Sequence, residues 1–292
     1  NGHAARFTGK TVVSHDGLTA SVAFAHESAK ARRVTVVYSL RAGEAALRVR
    51  YDVDWHDPLH WLKGIFTSEY RGREARYGAP FGSVLRGQWP GYPREEAQWE
   101  VPGSRWMAVC DDAQSECLAI ISEAKYGFTT REGAVGVSLL RSALVTEADH
   151  HPKIRPTPDR PRHSDLGRQT IELALARYAP DLPAHEQPAA LADTLFTPCV
   201  PYAGEPVSAG LERIGGVSSV VPAWAEPVGD GWVLRLHETL GRRGHARIAL
   251  ADQAKCMAVD LLGQPVDGAK TAVGEVSLPV TPYQVCSLKF TR

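Results

Sequence analysis

Hydrophobic and polar residues alternate along much of the chain, in short runs separated by turn residues. The stretch EAALRVRYDVDW shows this pattern clearly. Its apolar residues occupy every second position from Leu47 to Trp55, and charged residues such as Arg48 and Asp52 lie between them. Because successive side chains of a strand point to opposite faces, the pattern predicts a strand with one buried and one solvated face.

Several other segments predict strands as well. ECLAIISE is typical of a strand buried on both faces, QTIELALARY alternates through Ile171, Leu173 and Leu175, and YGFTTREGAVGVSLLRS predicts a hairpin that turns near residues 131–133. Helical periodicity is almost absent, and 26 Gly and 20 Pro separate the runs. The sequence therefore predicts an all-β fold of sandwich architecture.

Two irregular stretches interrupt the strand pattern. TEADHHPKIRPTPDRPRHSDLG contains four prolines and many charges, and it predicts a long surface loop. In APDLPAHEQPAALADTLFTPCVPYAGEP the proline density rises, and residues 188–195 predict one short helix. We therefore predict a large β domain over residues 1–185, a linker over 186–206 and a smaller C-terminal β-sandwich over 207–292.

Charge and cysteine content narrow the class of protein. Lys plus Arg and Asp plus Glu both total 33, so the net charge is zero, which argues against nucleic acid or an anionic membrane as partner. No apolar run is long enough for a spanning helix. The five cysteines include no Cys-x-x-Cys pair and predict buried free thiols. Free thiols and the absence of a visible signal peptide favour a cytoplasmic location.

Two groups of residues resemble metal ligands at first sight. Asp52, Asp54 and His56 share one face of a strand, but they span about 13 Å at the usual rise per residue, too far for one ion. A solvated strand face is the better interpretation.

The second group lies in the proline-rich loop. It consists of Asp149, His150 and His151, with His163 and Asp165 further along. Because adjacent histidines on an irregular chain point apart, a solvated loop is again favoured. We predict no metal site and no cofactor in this chain.

No catalytic set can be identified from motifs. The sequence lacks Gly-x-Ser-x-Gly, the phosphate-binding Gly-x-x-x-x-Gly-Lys and a strand-linked Gly-x-Gly-x-x-Gly. We therefore predict no catalytic residues. Among seven tryptophans, Trp89 is the best candidate to face a sugar, because RGQWPGYPRE is a Gly- and Pro-rich loop. The alternative is a tryptophan that only packs.

The order of several segments resembles the middle and C-terminal region of family 38 α-mannosidases. The matching segments, in order, are VDWHDPLHWLKGIF, YGAPFGSVLRGQW, AQWEVPGSRWMAV, SEAKYGF, VSLLRSALVTEAD, SDLGRQTIELALARY, VLRLHETLGRRGHARIAL, AVDLLGQ and VTPYQVCSLKF. Two positions depart from the family pattern. Gln169 stands where the family usually has His, and Gly263 stands where it usually has Glu.

The resemblance implies a large supersandwich, like that of galactose mutarotases, followed by a smaller sandwich. In the family, a zinc-type ion and an Asp nucleophile hydrolyse α-mannosides with retention, in an N-terminal barrel whose His-x-Asp motif is not found here. The resemblance thus predicts a chain that is inactive alone. Its expected partners are the barrel of the same parent enzyme and mannose-containing carbohydrate.

The loops around Tyr126, Arg141 and Asp165 are our candidates for approaching the barrel and its sugar. For Arg141 the alternative is a structural cation at a strand end. Two other functions stay open at this point, a free-standing carbohydrate-binding module and a mutarotase-like aldose epimerase. A second copy of the chain is a further partner to consider.

Overall fold

The computed structural model describes residues 4–27, 33–113, 115–144, 163–179, 181–197, 200–201, 203–204, 209–251 and 253–291, without the side chains of residues 10–12. Strands dominate these ranges, and they are arranged in four sheets. The prediction of an all-β fold is confirmed.

The larger sheet of the first part of the chain has nine strands, in the order β1-β2-β3-β4-β13-β10-β9-β6-β7. Its neighbouring strands pair antiparallel. The strands are β1 (Arg6–His15), β2 (Thr19–Glu27), β3 (Arg33–Arg41), β4 (Leu47–Trp55), β6 (Glu74–Ala79), β7 (Gly82–Gly87), β9 (Trp106–Cys110), β10 (Cys117–Ser122) and β13 (Gly167–Tyr178).

A four-stranded sheet packs on this larger sheet, in the order β5-β12-β11-β8. It consists of β5 (Trp61–Thr67), β8 (Val101–Pro102), β11 (Gly127–Arg131) and β12 (Ala134–Arg141). The core between the two sheets includes Tyr51, Tyr77 and Ile120 from the larger sheet and Phe128 and Val137 from the smaller one. The two sheets thus form the first sandwich.

The alternation of β4 is confirmed by its burial. Val49, Tyr51, Val53 and Trp55 are buried, whereas the charged residues between them are partly or fully exposed. The hairpin of β11 and β12 turns at Glu132 and Gly133, which both have positive φ. Two central residues of that kind suit a two-residue turn between twisted strands. Here the sequence pattern predicted the local structure correctly.

The C-terminal part of the chain forms a second sandwich from a three-stranded sheet, β14-β17-β19, and a four-stranded sheet, β15-β16-β20-β18. The strands are β14 (Leu211–Gly216), β15 (Val220–Val228), β16 (Gly231–Glu238), β17 (Gly244–Leu250), β18 (Lys255–Val259), β19 (Glu275–Val280) and β20 (Val285–Thr291). Leu236, Ile248, Leu288 and Phe290 lie in its core. The exact residue limits of the two domains stay a prediction.

Helices are short in the described ranges. A single turn, α1 (Pro93–Glu96), lies in the segment that leads from β7 to β8, and α2 (Pro188–Phe196) follows a 3₁₀ turn at Ala184–Glu186. The helix predicted over residues 188–195 is therefore present. None of the helices in these ranges has the length and apolar character needed to cross a membrane.

Helix α2 packs on the outer face of the nine-stranded sheet. Leu191 and Leu195 join a buried cluster with Trp106 and Tyr178 of that sheet, and Leu240 of the second sandwich completes it. Arg105 donates one hydrogen bond to the Asp193 carboxylate at 2.5 Å and a second to the carbonyl oxygen of Ala192 at 2.6 Å. Helix α2, which precedes the second sandwich in the chain, is therefore firmly packed on the first one.

The two sandwiches meet at a junction formed by residues 81–83, at the start of β7, and by residues 237–241 with Tyr283. The Ser83 hydroxyl donates to the carbonyl oxygen of Thr239 at 2.7 Å. Phe81 packs edge-on against His237, with ring centroids 5.8 Å apart. Gly82 lies so close to Tyr283 that an added Cβ would be 2.8 Å from that ring. The junction leaves little room for movement.

The prediction of free thiols is wrong for two of the five cysteines. Cys110 and Cys117 form a disulfide with an S–S distance of 2.01 Å. The two residues lie directly opposite each other on β9 and β10, a cross-strand relation that a search for Cys-x-x-Cys does not detect. Cys256 and Cys286 are free, and burial raises the pKa of the Cys256 thiol to about 11. Cys199 lies outside the described residues.

The disulfide also weakens the argument from cysteines to a reducing compartment, because such bonds persist mainly in oxidising surroundings. The cytoplasmic location stays a prediction.

Candidate functional site

The predicted sugar-facing residues do not converge on one place. Trp89 is half exposed in the loop after β7, and its indole N–H donates to the carbonyl oxygen of Arg71 at 3.2 Å. Tyr126 is exposed immediately before β11, and its carbonyl oxygen accepts a hydrogen bond from the amide of Gly103 at 2.9 Å. Contact of either side chain with a sugar stays a prediction.

Arg141 and Asp165 do lie together, but the backbone joins them. The amide of Arg141 donates to an Asp165 carboxylate oxygen at 2.9 Å, and the Ser164 hydroxyl donates to the Arg141 carbonyl oxygen at 2.5 Å. Asp165 has a φ of 53°, a left-handed backbone conformation that Asp tolerates in turns where its side chain bonds to the backbone. The carboxylate thus ties down the end of β12.

The rejected metal candidates are used in other contacts. His56 and the Asp54 carboxylate are 2.7 Å apart, and Asp52 accepts hydrogen bonds from Arg50 and Thr170. Within the described ranges, no three side chains of the His, Cys, Asp or Glu type are arranged to hold a metal ion. The group formed by Asp149, His150 and His151 falls outside those ranges.

A different surface brings aromatic and charged side chains together. It is the outer face of the four-stranded sheet, which we call the tryptophan face. Its members come from β5, β11, β12 and the residues before β8. They are Trp61, Lys63, Trp99, Glu100, Thr129 and Ser138. The strand period of two explains their position, because Trp61 and Lys63 alternate with residues that pack toward the core.

Hydrogen bonds connect the members of the tryptophan face in two chains. The Trp61 indole N–H donates to the Ser138 hydroxyl at 2.9 Å, and that hydroxyl donates to the Glu100 carboxylate. In the second chain, the Lys63 ammonium donates to the Thr129 hydroxyl at 2.5 Å, and Thr129 donates to the carbonyl oxygen of Trp99 at 2.8 Å. These bonds fix the orientation of the polar groups.

Cations lie against both indoles. The Lys63 ammonium is 4.4 Å from the centre of the Trp61 ring, and the Arg131 guanidinium is 5.6 Å from that of Trp99. Trp61 is still 41% exposed and Trp99 71% exposed, so much of each ring is open to solvent. Such contacts contribute about 0.5–1 kcal/mol each at exposed sites and hold the rings in place.

The charged pair at the centre of the face is partly desolvated. Burial lowers the pKa of Lys63, and the nearby Glu100 carboxylate only partly offsets this by favouring the charged form. Gly127 lies beside Glu100, and a side chain there would collide with its carboxylate. Glycine at this position leaves the space that the Glu100 carboxylate occupies.

This arrangement has groups suited to contact with a polar ring. Exposed indoles provide flat apolar surface, and a carboxylate and an ammonium between them provide acceptors and donors for hydroxyl groups. Sequence patterns alone did not indicate this group of residues, because its members come from four separate segments. The alternation of Trp61 and Lys63 within WLKGIF was the available signal.

Comparison with known proteins gives a consistent result for the whole chain. Residues 3–156 match the family described as Glycosyl hydrolases family 38 C-terminal domain. Alpha-mannosidase 2C1 of Homo sapiens is 25% identical over 294 residues, which cover 95% of this chain and 26% of the human protein. The Mus musculus protein of the same name is 28% identical over 167 residues, or 56% of this chain and 14% of the mouse protein.

Among solved structures, an alpha-mannosidase from Enterococcus faecalis V583 superimposes with a TM-score of 0.72 at 11% identity. The match covers 98% of this chain and 35% of the bacterial one. At that identity the likeness concerns the fold alone. The chain spans between a quarter and about a third of the length of these larger proteins.

Proposed function

This chain belongs to the C-terminal domain family of the family 38 glycosyl hydrolases, and from that premise we propose that it is a non-catalytic region of an α-mannosidase. Its role in this proposal is to support the catalytic barrel of the same parent enzyme and to contact mannose-containing carbohydrate. Hydrolysis of the α-mannoside takes place in the barrel.

The observation that carries this proposal is the pattern of coverage. Nearly the whole chain is matched by only 26% of the human Alpha-mannosidase 2C1 and 35% of the Enterococcus faecalis structure. The remaining part of those proteins is long enough for a separate catalytic domain. A two-sandwich region that accompanies such a domain in its relatives is best explained as its structural support.

The zinc-type ion of the parent enzyme belongs, in this proposal, to the barrel. The described residues of this chain do not offer a place for it, because no three potential ligands among them are suitably arranged. We therefore assign no catalytic step to a metal in this region. The paired carboxyl groups that glycoside hydrolysis requires are likewise assigned to the barrel.

The tryptophan face supports the carbohydrate-binding part of the proposal. Trp61 and Trp99 present open indole surface, and the hydroxyl, carboxylate and ammonium groups between them are already oriented by hydrogen bonds. Preorganised groups of this kind reduce the cost of ordering on binding. A mannose residue that stacks on an indole would find donors and acceptors within the same surface.

Enzyme assays test the non-catalytic role. The chain alone, incubated with an aryl α-mannoside and zinc, is expected to release no aryl group above the buffer rate, whereas together with the barrel of its parent it is expected to do so. Turnover by the isolated chain would overturn the proposal. Faster anomer exchange of a free aldose would instead favour the mutarotase-like alternative.

A binding assay tests the tryptophan face. Trp61→Ala is expected to weaken binding of mannose oligosaccharides by about tenfold, since a stacked aromatic ring contributes on the order of 1 kcal/mol or more. Trp224→Ala is the matched control, because Trp224 is 61% exposed but lies on the second sandwich. Trp89→Ala in the same series tests the residue that the sequence favoured. Equal affinity of the Trp61 variant and wild type would exclude this face.

A further inference from the structure

A cavity of about 500 Å³ lies at the open edge of the first sandwich, near the tryptophan face but extending between the sheets. Strand β7 is the last strand of the nine-stranded sheet. Arg86 on β7 is paired with Ala75 on β6, and Ala75 belongs to the core between the sheets. Paired residues point to the same face, so Arg86 points inward as well. The segment 90–101 forms the outer wall.

Arg86 carries a buried polar group that the protein does not satisfy. Its guanidinium carbon lies 4.7 Å from the centre of the Tyr77 ring, and its Nη1 atom is buried without a hydrogen-bond partner among the described residues. A buried N–H group without a partner is costly, and in native proteins such groups are rare. Arg86 lines the cavity, and its own chain does not fill the hydrogen-bonding capacity of this guanidinium group.

Two more guanidinium groups line the same cavity, those of Arg94 in α1 and Arg131 at the end of β11. Within the part of the chain that the structure describes, none of the three arginines forms an ion pair. Glu95 also lines the cavity, but its carboxylate accepts hydrogen bonds from the amide of Gly91 at 2.9 Å and from the Tyr92 hydroxyl. The cavity thus has an excess of positive charge.

The remaining lining is aromatic and polar. Tyr92 and Trp99 stand at the mouth, and Thr130 lies deeper, where its hydroxyl is 2.6 Å from that of Tyr77. The volume falls within the range typical of small-molecule sites. Guanidinium groups bind phosphate and carboxylate through paired hydrogen bonds, and an aromatic wall accepts the flat side of a ring.

We propose that this cavity binds a monosaccharide that carries a phosphate or carboxylate group. The anionic group contacts Arg86, Arg94 and Arg131, and the ring lies against Trp99 and Tyr92. The sugar part of the assignment rests on the proposed function, whereas the anionic part rests only on the unpaired guanidinium groups. The cavity shares Trp99 and Thr129 with the tryptophan face, but Trp61 and Lys63 do not line it, so Trp61→Ala and Arg86→Met distinguish the two surfaces.

Calorimetric titration of the whole chain tests the proposal with five probes. They are mannose 6-phosphate, glucose 6-phosphate, glucuronate, inorganic phosphate and mannose. At least one anionic sugar is expected to bind with an affinity in the range of about 10 μM to 1 mM, and more tightly than phosphate or mannose by about tenfold. Comparing the affinities for the two sugar phosphates with the affinity for glucuronate distinguishes phosphate from carboxylate recognition. Binding is expected to weaken at high salt.

Variants locate the binding. Arg86→Met and Arg94→Gln are each expected to weaken the binding of the preferred probe by about tenfold or more, because each removes a charged hydrogen-bond donor. Arg94 is exposed, so its variant keeps the test valid if Arg86→Met folds poorly. Arg247→Gln is the matched control, an exposed arginine on β17 that is expected to leave the affinity unchanged.

Three results would overturn the proposal. The first is that no anionic probe binds at concentrations up to about 5 mM, which is above the expected range of dissociation constants. Another is unchanged affinity in both Arg86→Met and Arg94→Gln. The third is equal affinity for inorganic phosphate and every sugar anion, which would remove the sugar part and leave an anion site. None of these results affects the hydrolysis assays, which test the α-mannosidase assignment separately.

Discussion

The junction and the cavity both hold a charged group away from water, and they treat it in opposite ways. At the junction, the fully buried Glu238 carboxylate accepts hydrogen bonds from the backbone amides of Leu240, Gly241 and Tyr283 at 2.7–2.9 Å. In the cavity, the Nη1 atom of Arg86 has no partner among the described residues. Backbone amides satisfy the first charge, whereas the buried Nη1 atom of the second is left without a hydrogen bond from the described residues.

This difference separates structural from functional polar groups. A charge whose hydrogen-bonding capacity is filled by its own chain stabilises one arrangement of that chain, whereas an unfilled one carries a cost that a binding partner relieves. Both residues have buried polar atoms, although Glu238 as a whole is fully buried and Arg86 only partly, so the hydrogen-bond partners make the clearer distinction. The comparison therefore predicts a large loss of stability when the charge of Glu238 is removed and a small change when that of Arg86 is removed.

The largest expected effect is at Glu238. Glu238→Gln replaces one carboxylate oxygen with an amide group that faces backbone N–H donors, and we expect the free energy of unfolding to fall by about 3 kcal/mol. Urea denaturation measures this. Glu226→Gln is the control, because Glu226 pairs with Arg235 at 2.6 Å in a partly exposed position, and its loss is expected to cost about 1 kcal/mol or less. Similar losses in both variants would contradict the comparison.

Gly82→Ala tests how tightly the junction is packed. The new Cβ would lie 2.8 Å from the Tyr283 ring, so that ring or the backbone around residue 82 must shift, at an expected cost of about 2 kcal/mol. Gly87→Ala on the same strand has nothing within 4 Å of the added atom and is expected to be close to wild type. Thermal denaturation of the two variants decides this, and equal melting temperatures would show that the junction yields.

The pH dependence of stability gives a smaller effect with a definite sign. Burial alone would raise the pKa of Glu238, but hydrogen bonds from backbone amides, including those of Tyr283 and Leu240, hold the pKa below its ordinary value of 4.5. The stabilisation is therefore present above about pH 4.5 and is lost as the pH falls through the folded value.

Denaturation of wild type and Glu238→Gln over the acidic range measures this contribution. The difference in stability between the two proteins is expected to be constant at neutral pH and to shrink as the solution is acidified. If the difference in stability grew on acidification, the pKa of Glu238 in the folded protein would be raised and not lowered, and this prediction would be wrong.

The smallest effect is expected for Arg86→Met without ligand. Because the charged group has no ion-pair partner, its replacement by an unbranched apolar side chain is expected to change the free energy of unfolding by less than about 1 kcal/mol. Urea denaturation without added anions measures this, in parallel with Glu238→Gln. A loss as large as that of Glu238→Gln would mean that Arg86 is structural and that the contrast between the two regions is wrong.

The sequence predicted those features that depend on local alternation. The faces of β4, the turn at Glu132 and Gly133, and helix α2 all follow from the period of polar residues or from turn and helix-start residues. Each is fixed by neighbours in the chain, so a single sequence is sufficient.

The candidate sites were not predicted, because they depend on which strands lie side by side. Arg86, Arg94 and Arg131 come from β7, α1 and β11, and only the pairing of sheets brings them to one cavity. The disulfide was missed for a related reason, since Cys110 and Cys117 meet across a hairpin. Trp89 was chosen from loop composition, which does not reveal that its indole N–H bonds to the backbone.

Leu240 belongs to the second sandwich, yet it completes the buried cluster formed by α2 and the outer face of the nine-stranded sheet. If the second sandwich unfolded, Leu240 would leave this cluster and expose apolar residues of the first sandwich and of α2. If the first sandwich unfolded, Leu240 itself would be exposed. Calorimetry should accordingly record a single cooperative endotherm for both sandwiches, and proteolytic trimming to one of them should yield an aggregation-prone fragment. In thermodynamic terms, the two sandwiches behave as one folding unit.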